Sequence, residues 1–289
     1  MREDRPSSTA ALIAAATVFL AAGKRTRALV PEGAPGWCER CLASASPLRL
    51  ALVRGVSHPL LRWLPLVAER LTVPGLMRHF MARKRWIEAA LCESLQRGAS
   101  IVVVVGAGFD TLALRLAPRF PAVRFIEIDH PATQAIKRRA IEAPAAPGNL
   151  HLVAADLSRQ DISSVLATIA AYDTNAGAVF VIEGLLMYLT AEQVRTLFAS
   201  IRRAHRGPLR IIFTVMEPTP DGRSAFHNAT SLTRWLLGRW SEPFRSALAR
   251  SDAAAFVAPM GLQVETIAKL DGERLAVGEI VIAAKGAAS

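Results

Sequence analysis

Cysteine, tyrosine and acid are scarce in this chain. It has three cysteines, two tyrosines, and 24 acidic residues against 35 basic ones. Cys38-Glu-Arg-Cys41 has the spacing of a metal or redox pair, but neither a second pair nor a nearby histidine follows. A structural zinc site needs four ligands, and a thioredoxin-like pair opens a helix early in a βαβ unit. Neither condition is met, so the cysteines read as packing residues and no metal is expected. An odd cysteine count without a disulfide framework suits a reducing cytoplasm. The apolar run from Ala10 to Ala22 follows Arg2 and Arg5, but Glu3 and Asp4 spoil the basic start of a leader. A membrane-spanning helix needs about 20 apolar residues, so this run is too short. It reads as a helix capped by Ser7, Ser8 or Thr9. A cytoplasmic protein without a stable membrane anchor is expected.

Hydrophobic residues make up 52% of the chain and charged residues 20%, which provides for a large core and excludes general disorder. The net charge of +11 admits an acidic partner: nucleic acid, anionic lipid or a carboxylate substrate. Nucleic-acid binding calls for a dense basic face with stacking aromatics. Aromatics are only 6% and the arginines are scattered. No nucleic-acid partner is therefore expected, and a basic nucleic-acid binder stays as the alternative of another class.

The pattern divides near residue 98. Residues 1–98 read as helices and loops. Leu48 to Val56 and Pro59 to Leu71 are apolar and basic, and Leu76 to Leu95 follows Pro74-Gly75. Such helices either lie on a membrane surface or pack over a cofactor domain as a lid, and the lid is the expectation. Residues 99–289 alternate strand and helix, which implies a parallel sheet. Strands are predicted at Ile101–Val105, Val123–Ile128, Leu150–Ala154, Ala178–Ile182 and Leu209–Val215. Helices are predicted at Leu112–Leu116, Pro131–Ile141, Ile162–Ala171 and Ala191–Ala204. Two last strands, Leu262–Ile267 and Glu279–Ala284, have no helix between them and predict an antiparallel hairpin. Residues 218–250 read as a helical insertion that, with the N-terminal helices, shapes a substrate pocket. Its Leu232, Trp235, Leu236, Trp240 and Phe244 suggest an apolar occupant.

The chemistry starts at Gly106-Ala107-Gly108-Phe109-Asp110-Thr111, directly after the first strand. Gly106 and Gly108 allow a sharp strand-to-helix turn. Thr111 stands where a dinucleotide fingerprint has its third glycine, and Asp110 sets a negative charge where a pyrophosphate would approach. A nicotinamide cofactor is therefore disfavoured. An adenosine cofactor without phosphates, S-adenosylmethionine, fits better. Acidic residues end the successive strands: Asp129, Asp156, Glu183 and Glu217, at the edge where open α/β sheets bind ligands. Asp129, 21 residues beyond Gly108, is placed to accept from ribose hydroxyls. Asp156 and the N–H of Leu157 suit adenine. Glu183 suits the cofactor's ammonium or sulfonium end.

These blocks carry a resemblance. The glycine loop, Glu127-Ile128-Asp129-His130-Pro131, Asp156-Leu157 and Glu183-Gly184-Leu185-Leu186-Met187-Tyr188-Leu189 resemble the ordered motifs of the leucine carboxyl methyltransferase family, which includes bacterial polyketide carboxyl O-methyltransferases. The resemblance implies a class I, Rossmann-like methyltransferase fold, S-adenosylmethionine as methyl donor and an oxygen acceptor. Gly106, Ala107, Gly108, Asp110, Asp129, His130, Asp156, Leu157, Glu183 and Gly184 become the cofactor-binding residues. Ala82-Arg83-Lys84-Arg85 is similar to the family's arginine segment, so Arg83 takes the role facing the cofactor carboxylate or the acceptor. Lys84 stands where the family usually has Thr. Lys24, Arg25 or Arg27 supplies the basic residue of the first helix.

A carboxylate acceptor is already an anion and needs no general base. It must be held in line with the methyl group and shielded from water. Arg83 is expected to grip one carboxylate oxygen, and Tyr188 to face the transfer site. A phenol or alcohol acceptor, the second enzyme reading, would need a base. The candidates by type are His130, His151 and His227, with His227 better placed for a substrate. The expected partner is a small molecule with an apolar body and a carboxylate.

Overall fold

The computed structural model describes residues 7–142, 146–230, 233, 244–268, 270 and 277–286. Helix α1 (Ser8–Ala21) is capped by Ser7, whose hydroxyl accepts from the Ala10 N–H. Helices α2 (Ala34–Ala45), α3 (Pro47–Ser57), α4 (Trp63–Leu71) and α5 (Leu76–Gln96) complete the N-terminal part. Then strand and helix alternate: β1 (Ile101–Val105), α6 (Leu112–Leu116), β2 (Arg124–Asp129), α7 (Pro131–Glu142), β3 (Leu150–Ala154), α8 (Ile162–Ala167), β4 (Ala178–Ile182), α9 (Ala191–Ala204) and β5 (Leu209–Met216). A short helix α10 (Ala253–Val257) precedes β6 (Leu262–Ala268) and β7 (Glu279–Gly286).

The strands form one sheet in the order β3-β2-β1-β4-β5-β7-β6. The first five are parallel, and β7 runs antiparallel to both β5 and β6. This matches the parallel sheet and terminal hairpin expected from the strand pattern. The chain reverses direction of strand order between β1 and β4, which opens the crevice used for ligands in such sheets.

The five residues of β1 are all buried, because helices cover both faces of the sheet. Ile101, Val103 and Val105 face one core with Phe180, Phe198 and Phe213. Val102 and Val104 face the other, packed by Ile87 and Leu91 of α5. A third cluster joins α1, α2 and α7 through Val18, Cys38, Cys41, Leu42 and Ile136. The three cysteines are free, and Cys38 and Cys41 are core residues. Burial pushes the Cys38 thiol up to about 12 and Cys41 up to about 11, against the nearby lysines Lys84 and Lys137 respectively, so both stay neutral thiols.

Helix α8 is shorter than predicted. It stops at Ala167 because the Thr168 hydroxyl donates back to the Val165 carbonyl while Ile169 N–H turns to Leu166. Helix α9 matches its predicted bounds and begins with a reciprocal cap between Thr190 and Gln193. Of the insertion residues singled out above, Leu232, Trp235, Leu236 and Trp240 lie outside the described residues.

Candidate active site

A cavity of about 610 Å³ opens at the carboxyl ends of β1, β2, β3 and β4. That is within the range of about 300–1,000 Å³ common for small-molecule sites. The residues assigned above to the cofactor motifs, with Arg83 and Tyr188, lie on its lining: Arg83, Gly106, Ala107, Gly108, Asp110, Asp129, His130, Asp156, Leu157, Glu183, Gly184 and Tyr188.

The glycine loop is shaped as the sequence required. Gly106 and Gly108 have φ of 71° and 52°, conformations that L side chains rarely adopt. A Cβ at Gly108 would also stand 3.0 Å from the Cβ of Ala10 in α1. Asp129, the last residue of β2, accepts from the N–H of Gly108 and, at 2.5 Å, from its neighbour His130. One carboxylate therefore ties the loop to the strand, and its remaining lone pairs face the cavity. Burial raises the Asp129 pKa, and the two backbone donors oppose the rise.

Asp156 ends the third strand in a turn of its own, accepting from both the N–H and the hydroxyl of Ser158. The Ser158 hydroxyl is the main reason its carboxyl sits below the ordinary range.

The charges around Asp110 and Glu183 differ from the sequence-based expectation. Asp110 does not present a bare negative charge: Lys84 Nζ lies 2.6 Å from its Oδ1 and 3.1 Å from Glu183 Oε1. Burial opposes ionisation of Asp110, but Lys84, Lys137 and Arg115 outweigh it and hold the carboxyl well below the usual range. The lysine that replaces the family's Thr is thus the ion that bridges the ends of β1 and β4.

Arg83 likewise does not hold an open fork. Its guanidinium is buried, with Nη2 2.7 Å from Glu183 Oε1 and Nη1 2.8 Å and 2.6 Å from the two oxygens of Glu279. His79 Nε2 lies 3.0 Å from the same Glu279 carboxylate. Burial alone would push Glu279 up, yet Arg83 and His79 pull it down to about 2. Two cations, Arg83 and Lys84, thus bridge three carboxylates, Asp110, Glu183 and Glu279, and His79 stands against the third.

Behind the loop, Lys137 of α7 is fully buried. Its Nζ lies 2.5 Å from Glu127 Oε2 and donates at 2.5 Å to the Asp110 carbonyl. Glu279, His79 and Lys137 went unnoticed in the sequence. Only Glu279 stands at the head of an apolar run, Ile280–Ala284; His79 follows Arg78 and Lys137 precedes Arg138 and Arg139, so neither stands out from its neighbours.

Other placements correct the sequence reading. His227 does not line the cavity. Its Nε2 meets the Glu217 carbonyl at 2.9 Å and its ring packs on Gly278. His151 sits within β3, away from the lining. His130 does line it, with Nδ1 accepting from the Ala132 N–H at 3.3 Å. Lys24, Arg25 and Arg27 follow the end of α1, are exposed and are not on the lining. The α1 residues that do reach it are Thr9, Ala10, Ile13, Ala14 and Thr17. Tyr188 closes the opposite side, its hydroxyl 3.2 Å from Thr9 Oγ1 and its ring edge-on to Phe244 at 5.6 Å. Arg245 also lines this side, and among the described residues no carboxylate pairs with it. It was not singled out in the sequence.

The strand order, glycine loop and acidic strand ends together define the fold of a class I methyltransferase. Residues 46–202, more than half of the chain, match the leucine carboxyl methyltransferase family, and the chain belongs to that family. A Mycobacteroides abscessus protein provisionally named an S-adenosyl-L-methionine-dependent methyltransferase is 32% identical over 177 residues, covering 60% of this chain and 56% of that protein. A Mycobacterium avium protein with the same provisional name is 34% identical over 159 residues, covering 50% of each. The chain spans about half the length of the curated relatives it matches. The magnesium protoporphyrin IX methyltransferase of Synechocystis, solved with bound S-adenosylhomocysteine, shares the fold with a TM-score of 0.50 at 12% identity. That alignment covers 82% of this chain and 99% of the other.

Proposed function

We propose that this chain transfers the methyl group of S-adenosylmethionine to a carboxylate oxygen of a small molecule with an apolar body. The observation that carries the reading is one cavity that joins the family's cofactor motifs to an arginine, Arg245, which pairs with no carboxylate among the described residues. The residues suit the cofactor: a glycine cradle that a Cβ would obstruct, a carboxylate beside it, and two further carboxylates, Asp110 and Glu183, on the same lining. S-adenosylmethionine supplies an electrophilic methyl group on a sulfonium centre. Asp129 accepts from the ribose hydroxyls, and Asp156 with the Leu157 N–H holds adenine. Glu183 and Asp110, ion-paired with Arg83 and Lys84, would face the cofactor's positively charged end.

Arg83 is then a positioning residue, since its donors serve Glu183 and Glu279. The acceptor carboxylate falls to Arg245, beside Tyr188 and Phe244. One oxygen is held by the guanidinium and the other is free to attack, so no side chain takes a proton. Residues 1–98 supply the wall over the acceptor through α1, residues 99–289 hold the cofactor, and Phe244 and Arg245 of the 218–250 insertion lie beside the acceptor. Among the described residues no helix is long and apolar enough to cross a membrane. We assign the enzyme to the cytoplasm.

A phenol acceptor is the second reading, favoured by the placement of His130 on the lining as an available base. The deciding experiment is titration calorimetry with S-adenosylhomocysteine and NAD, followed by a labelled-methyl screen of carboxylic acids against phenols. Tight NAD binding with none of the methyl-donor product would overturn the cofactor assignment. Turnover of phenols alone would overturn the carboxylate.

A further inference from the structure

Among the described residues, the large apolar side chains that stand exposed all lie between Leu12 and Leu71. Helix α4 has no buried residue, and α3 buries only Leu50. Leu48, Leu52, Leu60, Trp63, Leu66 and Leu71 are each 44% exposed or more. A soluble surface rarely carries such a patch without an occupant. Helices as short as α4 are marginal in water on their own. This one is held through its ends. Arg62 stacks on Phe19 at 4.3 Å and donates to Thr26, while Glu69 accepts from the Met77 N–H at 2.7 Å. The fold fixes the helix in place and leaves its apolar residues outward.

Charge selects the occupant. Residues 47–72 contain four arginines and a single acid, Glu69, which is engaged with Met77; Arg62 is turned to Phe19 and Thr26 and Arg54 pairs with Glu39, which leaves Arg49 and Arg70 exposed and without a carboxylate partner among the described residues. Exposed Lys24, Arg25 and Arg27 lie beside them, next to the Arg62 contact with Thr26. A symmetric dimer on this face would set like charges against each other. A nucleic acid would gain nothing from the leucines. An anionic bilayer surface satisfies both features: leucines and Trp63 enter the acyl boundary while arginines meet the headgroups. We propose that the α3–α4 segment docks this protein reversibly onto anionic membrane surfaces through the exposed leucines of both helices and Trp63. The inference rests on exposure and charge alone and stands apart from the reaction.

The test is co-sedimentation of the full chain with vesicles of phosphatidylcholine alone and with about 30% phosphatidylglycerol. The expected result is binding about tenfold or more tighter to the anionic vesicles, falling steeply as sodium chloride rises through a few hundred millimolar. The Leu60→Glu, Trp63→Glu double variant should lose that binding about tenfold or more, while keeping its thermal unfolding midpoint, since both residues are exposed. Equal binding to both vesicles, no binding to either, or wild-type binding by the double variant would overturn the proposal. So would a stable dimer by light scattering that the double variant dissociates, with no vesicle binding: the face would then be a contact between copies.

Discussion

Arg83 of α5 and Glu279 of β7, 196 residues apart in the chain, form a buried two-pronged ion pair, with Nη1 2.8 Å and 2.6 Å from the two carboxylate oxygens. Glu279 opens the antiparallel strand opposite Met216 at the end of β5. The same guanidinium reaches Glu183 at the end of β4. One side chain thus ties the terminal hairpin to the cavity edge. Neither charge could remain buried alone, since an unpaired ion costs several kcal/mol in a protein interior.

Glu279→Gln should destabilise the protein in a pH-dependent way. The carboxyl has a folded pKa lowered to about 2 from an ordinary 4.5. Its stabilisation is therefore complete above about pH 4.5 and is lost as pH falls towards 2. At pH 7 the variant should lose about 3–5 kcal/mol, the usual cost of breaking a buried pair. Urea midpoints from neutral to acid pH check this. The gap to wild type should narrow below about pH 4.5. A constant gap would mean that Glu279 is not held ionised by Arg83 and His79.

Lys84→Met should be harmful although the side-chain volume is kept. It leaves Asp110 and Glu183 without their bridging cation, so the Asp110 carboxyl should titrate at higher pH than in wild type. Asp110 loses its direct ion partner while Glu183 keeps Arg83, so the loss should reach at most the roughly 3–5 kcal/mol of a broken buried pair at neutral pH and be smaller in acid. Carboxyl chemical shifts followed by NMR would report the Asp110 change directly. An unmoved Asp110 titration would show that Lys84 does not govern it.

Asp129→Ala should weaken S-adenosylhomocysteine binding by about 1.5–3 kcal/mol, the usual worth of hydrogen bonds to a charged group. The substitution removes the ribose acceptor and also frees the N–H of Gly108 and His130. Asp129→Asn keeps one acceptor oxygen for the loop and should fall between. Calorimetry on folded variants decides it, and unchanged affinity in the Ala variant would refute the assignment.

Much of this was legible in the sequence because periodicity and strand-end chemistry are local. The run Ile101–Val105, the glycines after it and the acids at the strand ends each announced their place without reference to distant residues. Ion partners are not local. Lys84 was visible only as a departure from a family pattern, and its partners Asp110 and Glu183 come from two other segments. His227 misled for the same reason: it follows the fifth strand in the chain, but its ring turns to the Glu217 carbonyl and away from the cavity. Arg245 gave no signal in a sequence so rich in arginine.

The final prediction separates the two arginines and the acceptor class. If the nucleophile is a carboxylate, no side chain must take its proton, and the rate should stay flat from about pH 6 to 8, since free carboxyls titrate near 4. His130→Ala should then retain turnover. Arg245→Ala should raise KM for the acceptor about tenfold or more, the worth of one charge-assisted contact, and leave cofactor affinity unchanged. Arg83→Lys should act differently. Lysine keeps the charge but loses the planar fork that serves Glu183 and Glu279 together, so thermal stability and turnover should fall together. A pH–rate profile on the methylated acid found by screening, run for wild type and these variants, tests all four statements. A rate that rises tenfold per pH unit through neutrality and vanishes in His130→Ala would move the acceptor to a phenol or alcohol. An unchanged KM in Arg245→Ala would show that a different residue holds the acceptor.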